Sequence, residues 1–124
     1  MASEHPNFEL LVEEVADAAL ILDPLGDRFV TANAAACSML GYTRTELLET
    51  PVSGIHPGEL PQLEDVVERA IRDGYASTIT LTCRTKAGGC VPTEMVIWAF
   101  EVGARVHLFA LVRDRSERRA AVDG

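Results

Sequence analysis

The sequence predicts an α+β fold, an antiparallel sheet with helices gathered over one face, and three observations predict it. Two short apolar segments near the N-terminus read as a hairpin, the last third of the chain alternates with a period of two, and the stretch between carries only helical spacing and helix caps. Strands kept apart from helices in this way favour antiparallel pairing over βαβ units. At 124 residues the chain has the length of one domain, large enough to bury roughly two thirds of its unfolded surface. No apolar run approaches the roughly 18 residues that cross a bilayer, and MASEHPNFELL lacks the basic start and apolar core of an export signal. A soluble, cytoplasmic protein without a membrane partner is expected. Cys37, Cys83 and Cys90 form no CxxC pair, which argues for reduced thiols and against a zinc site or disulfide framework. Eleven Lys and Arg against nineteen Asp and Glu leave a net charge of −8, a field that repels phosphate backbones, so no nucleic-acid partner is expected. The C-terminal group Arg113, Arg115, Arg118 and Arg119 alternates with Asp114 and Glu117 and reads as a solvated helix face.

Residues 1–7 read as a tail. From Phe8 the apolar residues recur at Leu11, Val12, Val15 and Ala19, one stripe along an amphipathic helix of about residues 8–18. ALILD and RFVTAN, separated by the turn composition of Asp23 to Asp27, predict the hairpin. Asn33 has a side chain able to accept from the free N–H groups of the next helix, Ala34 to Leu40, which Gly41 ends. Thr43-x-x-Glu46 is a capping box opening another short helix that Pro51 stops. TPVSGIHPGEL predicts irregular chain with about one helical turn. Leu63, Val66, Val67, Ala70 and Ile71 keep the spacing of a longer helix closed by Gly74. From Ser77 the chain alternates, with Ile79, Leu81 and Cys83 on the buried side, and Lys86 to Gly89 make a hairpin turn. Val91 to Val102 is apolar on both faces, Met95, Ile97 and Ala99 against Val96, Trp98 and Phe100, which predicts a central strand covered on both sides. After a turn at Gly103 and Ala104, Val106, Leu108, Ala110 and Val112 alternate with Arg105, His107, Phe109 and Leu111.

Four of these segments, in order and at matching spacing, resemble the PAS domain. VTANAAACSMLGYTRTELLE is similar to the family's strand-to-helix crossing, IHPGEL to its loop before the long helix, RTKAGGCVPTEM to its hairpin, and VRDRSERR to its closing D-x-[ST]-E-R. The likeness spans about residues 8–119. It implies a five-stranded antiparallel sheet, built from about 20–23, 28–32, 77–86, 90–102 and 104–114, with the helices between 33 and 74 walling a pocket against its inner face. PAS domains are sensory and dimerisation modules of bacterial signalling proteins, two-component systems among them. The resemblance thus implies a domain over 8–115 that relays ligand or redox state, and from 116 the start of a signalling helix toward an effector such as a histidine kinase. A pure protein–protein interaction domain is the alternative.

The scaffold does not fix the cofactor. Covalent LOV-type flavin chemistry needs a cysteine in a GxNCRFLQ-like helix, where this chain has TPVSGIHPG, and haem-binding members commonly take an imidazole from the long helix, where residues 59–74 hold no histidine. Both are argued against. A noncovalent flavin or small apolar ligand stays open, with Met39, Leu40, Leu47, Ile55, Leu81, Cys83, Met95, Ile97, Leu108 and Ala110 as its pocket and a filled apolar core as the alternative. His56 reads as structural, within a His-Pro pair common in the family. No catalytic triad, phosphate loop or metal spacing appears, so no enzyme is expected. On the outer face Val96, Trp98, Phe109 and Leu111 make an apolar patch that the Phe8, Leu11 and Val15 stripe covers, within one chain or across a homodimer. Asp114, Ser116 and Glu117 are the expected signal relay. Arg115, where the family usually has an aliphatic residue, predicts a loosely docked junction, and Gly58, where an acidic cap is common, a loose start to the long helix.

Overall fold

The computed structural model describes residues 8–116, apart from the side chains of Phe8, Glu9 and Leu11. Its elements are α1 (Phe8–Glu13), β1 (Ala18–Asp23), β2 (Arg28–Ala32), α2 (Ala34–Leu40), α3 (Arg44–Leu48), α4 (Val52–Ile55), α5 (Leu60–Asp73), β3 (Tyr75–Thr78), β4 (Thr82–Arg84), β5 (Cys90–Val102) and β6 (Arg105–Asp114). Six antiparallel strands run in the order β2-β1-β6-β5-β3, with β4 beside the start of β5. Helices α2 to α5 bury Ala36, Leu40, Leu47, Val52, Ile55, Val66 and Ala70 against the inner face of this sheet. The small helix α1 lies on the opposite face, where Val12 covers Ala19 and Ile21.

That division explains why β1 is apolar throughout. Leu20 and Leu22 pack under the inner helices, Ala19 and Ile21 under α1, and all six residues are buried. The expectation that the strand from Val91 to Val102 is covered on both sides is corrected: Met95 and Ile97 of β5 are buried, but Trp98 on its outer face is 41% exposed. The described part of α1 packs on β1 and β2, and Trp98 lies outside the cluster it closes.

Two element boundaries also differ from expectation, each for a local hydrogen-bonding reason. The first helix ends at Glu13 rather than near residue 18, because the Asn33 amide donates to the carbonyls of Val12, Val15 and Asp17 and the chain enters β1 at Ala18. The single strand expected over 77–86 is two strands, so the sheet has six rather than five. Thr78 Oγ1 accepts from Thr80 N at 3.1 Å, and the Glu59 carboxylate accepts from Thr82 N at 3.0 Å, which withdraws the bend from the ladder. The bend also shifts the alternation: Ala76, Leu81 and Cys83 are buried, while Ile79, expected inside, is 58% exposed.

The caps read from sequence are formed. Asn33 Oδ1 accepts from Ala36 N at 3.0 Å to start α2, and Gly41 ends it at φ 83°, a left-handed value that a side chain would strain. Thr43 and Glu46 make a reciprocal capping box on α3. Lys86 N then donates to Leu40 O at 2.9 Å and its ammonium pairs with Glu46, tying the β4–β5 hairpin to the two short helices. At the far end of the sheet Arg105 holds the buried Asp23 carboxylate at 2.8–3.1 Å.

Candidate functional site

The inner face and its helices enclose a cavity of about 30 Å³. Met39, Leu40, Ile55, Cys83, Met95, Ile97 and Ala110 line it, whereas Leu47 and Leu81 are buried away from it and Leu108 lies on a neighbouring cleft. Leu20, Leu22, Phe29, Val52, Leu63, Val67 and Val112 complete the wall, with His56 as its imidazole. A space of this size suits one water molecule, about a tenth of the roughly 300 Å³ at which organic ligand sites begin. Neither a flavin nor a haem fits between these side chains as they are packed.

His56 is buried and its Nδ1 lies 2.7 Å from Thr82 O, which makes it the donor there. Burial holds its pKa below the ordinary value, against the Thr82 carbonyl and the Glu59 carboxylate 3.7 Å away, which both favour the charged ring. Glu59, at the N-cap position of α5, does not cap that helix. Its carboxylate instead accepts from Thr82 N and from Thr82 Oγ1 at 2.9 Å. The start of α5 is thus tied down by β4, which offsets the missing acidic cap at Gly58. Burial pushes the Cys83 thiol up to about 12, with Glu59 adding to it, so this cysteine is a packing residue and a poor thiolate.

Beside the cavity a half-open cleft of about 520 Å³ runs between α5, α4 and the β1–β2 turn. Leu22, Val52, Leu63 and Val67 line both spaces, so these four side chains form the partition between them.

On the outer face Phe100, Phe109 and Leu111 pack against the Val12, Ala19 and Ile21 cluster, together with Val15. The covering helix is therefore engaged within its own chain; the side chains of Phe8 and Leu11 lie outside the described residues. Trp98 meets Phe109 edge to face at 6.0 Å and pairs across the strands with Tyr75, which is 56% exposed. Val96 is half-buried beside them. The open remainder of the patch is centred on Tyr75 and Trp98; Tyr75 joins it because β3 begins two residues before the expected start at Ser77. His107 stacks on Phe100 with ring centroids 5.6 Å apart.

At the chain's exit Asp114 Oδ1 accepts from Ser116 N at 2.8 Å and from its hydroxyl, so Asp114 is the cap and helical backbone begins at Arg115. Arg115 does not loosen this junction: its guanidinium donates to Ile79 O at 3.1 Å, using the carbonyl that the β3–β4 bend frees. Glu117 lies outside the described residues. No group of three or more His, Cys, Asp or Glu is close enough to hold a metal ion, and no helix is long and apolar enough to cross a membrane, among the described residues.

Comparison with known proteins agrees with this architecture. A sensor associated with methyl sulfide methyltransferase, from Methanosarcina acetivorans, is 23% identical over 115 residues, which are 92% of this chain and 11% of that protein. The PAS domain of a Desulfitobacterium hafniense protein is 27% identical, with a TM-score of 0.67 over 82% of this chain and 95% of that one. A PAS domain from a two-component sensor histidine kinase is 20% identical and superposes with a TM-score of 0.71, covering 86% of this chain and 92% of its own. The family model for the PAS domain matches residues 16–117, from the approach to β1 through the exit of β6. The chain therefore belongs to the PAS domain family.

Proposed function

We propose that this domain acts without catalysis as a cytoplasmic sensory and homodimerisation module, passing its state to an effector such as a histidine kinase. The observation that carries the reading is the outer face: Tyr75 and Trp98 are 56% and 41% exposed on a sheet face whose other half is already closed by α1. Aromatic side chains left open beside a packed cluster are the residues that anchor interfaces. Asp114 capping the exit and Arg115 on Ile79 O support a relay, since together they couple the start of the C-terminal helix to the sheet edge carrying that patch. A neighbour from a histidine kinase and a relative named as a sensor support the signalling role. The cavity of about 30 Å³ supports a filled core as the resting state, and a noncovalent flavin or apolar ligand would require α5 to move outward. Sedimentation of the wild type is expected to give a dimer mass that Trp98→Arg converts to a monomer mass with unchanged circular dichroism. A Trp98→Arg variant still at dimer mass would overturn the assignment of this face.

A further inference from the structure

Thr82, the first residue of β4, joins the cavity wall to the sheet. Its carbonyl accepts from His56 Nδ1 at 2.7 Å, and its amide and hydroxyl donate to the Glu59 carboxylate at 3.0 and 2.9 Å. The bend before it is tied to the chain's exit at two points. Ile79 O accepts from Arg115 at 3.1 Å, next to the Asp114 cap. Leu81 O accepts from Thr93 N at 3.1 Å and from Thr93 Oγ1 at 2.7 Å, and Thr93 lies opposite Asp114 in the β5–β6 ladder. Residues 79–82 are therefore hydrogen-bonded at one end to the loop between α4 and α5 and at the other to the start of the C-terminal helix, a contiguous route along which a change at one end reaches the other.

His56 is the member of this set whose charge changes near neutral pH. Since Nδ1 donates to Thr82 O, Nε2 of the neutral ring carries no proton. The ring lines the cavity, and every other side chain there is a hydrocarbon, a thioether or a thiol. A proton at Nε2 adds a donor and a charge to a space without a side-chain acceptor. The titratable groups facing the ring are Glu59, 3.7 Å from Nδ1, and the Cys83 thiol of β4; the lining from α2, α4, α5 and the other strands is uncharged. Glu59 favours the imidazolium, and turning toward it draws the carboxylate away from Thr82 N and Oγ1. Burial outweighs that attraction and keeps the ring neutral to below its ordinary 6.5. The charged ring is thus more stable where it meets water, and reaching water requires Nδ1 to leave Thr82 O. We infer that His56 is a proton-operated latch, whose protonation releases Thr82 from the α4–α5 loop and, through the 79–82 bend, loosens the hold of Arg115 on the exit. The inference rests on the relay reading of Asp114 and Arg115 but not on the dimer.

Amide NMR spectra of the purified protein between pH 8 and pH 5, with the His56 ring signals followed alongside, test this. The amides of Thr80, Thr82 and Ser116 are expected to shift with one common midpoint, below 6.5 and equal to that of the His56 ring. His56→Gln, which keeps an N–H donor but cannot titrate, is expected to abolish all three shifts, and His107→Gln to leave them in place. Arg115→Gln is expected to keep the Thr82 shift and to lose most of that at Ser116. A Thr82 midpoint different from that of the His56 ring, or shifts that survive His56→Gln, would overturn the latch. Because the midpoints are compared in the wild type, the first of these results does not depend on a variant folding. If Thr82 follows His56 while Ser116 stays still, the coupling to the exit fails, and the relay reading fails with it. Trp98→Arg is expected to titrate as the wild type does, so failure of the dimer leaves the result readable.

Discussion

Replacing Asn33 tests how the N-terminal helix, the first strand and the helical wall are joined. The side chain is 4% exposed and meets five backbone groups. Oδ1 accepts from Ala19 N and Ala36 N, both at 3.0 Å, and Nδ2 faces the carbonyls of Val12, Val15 and Asp17 at 2.8–3.1 Å. Asn33→Ala removes all of these contacts. Counting a net 0.5–1.5 kcal/mol for each of about four effective hydrogen bonds, the helix cap at about 1 kcal/mol being one of them, the loss is about 2–6 kcal/mol. That is a large part of the 5–15 kcal/mol typical of a domain, and about 8–24 °C in melting temperature at this chain length. Asn33→Asp separates the two halves of the network. The carboxylate still accepts from Ala19 and Ala36 but now faces three carbonyls, so the variant should be strongly destabilised at pH 7 and recover part of the loss once acid protonates the new group and restores a donor. Urea unfolding at pH 7 and pH 4 measures both variants, and amide exchange at Ala36 and in β1 reports where protection is lost. If Asn33→Asp stays within about 1 kcal/mol of the wild type at pH 7, the three carbonyl contacts do not hold α1, and the argument for the early end of that helix fails.

Acid should destabilise the domain in two separate windows. His56 has a folded pKa below its ordinary 6.5, so its contribution is lost as pH falls from 6.5 toward that folded value. Asp23 is also depressed: burial opposes ionisation most, but the hydrogen bonds from Arg105 and Gly26 outweigh it, so its stabilisation is complete above the ordinary 3.8 and lost as pH falls through the lower folded value. Asp23→Asn is therefore expected to lower the urea midpoint at pH 7, to leave the upper window in place and to converge on the wild type at the acid end. A thiol reagent at pH 8 should label the exposed Cys90 promptly and Cys83 only after denaturant is added, because burial holds the Cys83 proton on; peptide mass mapping checks the order, and prompt labelling of Cys83 would show a core far looser than its packing.

What could be read from the chain was whatever a few neighbouring residues decide among themselves. The Asn33 cap, the Gly41 stop and the Thr43–Glu46 box are contacts within one helical turn, and all are present. The strand from Ser77 departs from expectation because its alternation runs unbroken through Ile79, while the break depends on Glu59 reaching Thr82 from 23 residues away. The role of Arg115 is hidden for the same reason, since the carbonyl it binds is free only once that break is made. The pocket posed a harder problem: a run such as Met95, Ile97 and Ala99 gives the same pattern whether its face meets side chains or a cavity. The volume between the walls is a difference between large occupied volumes contributed by several elements, and no local spacing encodes it.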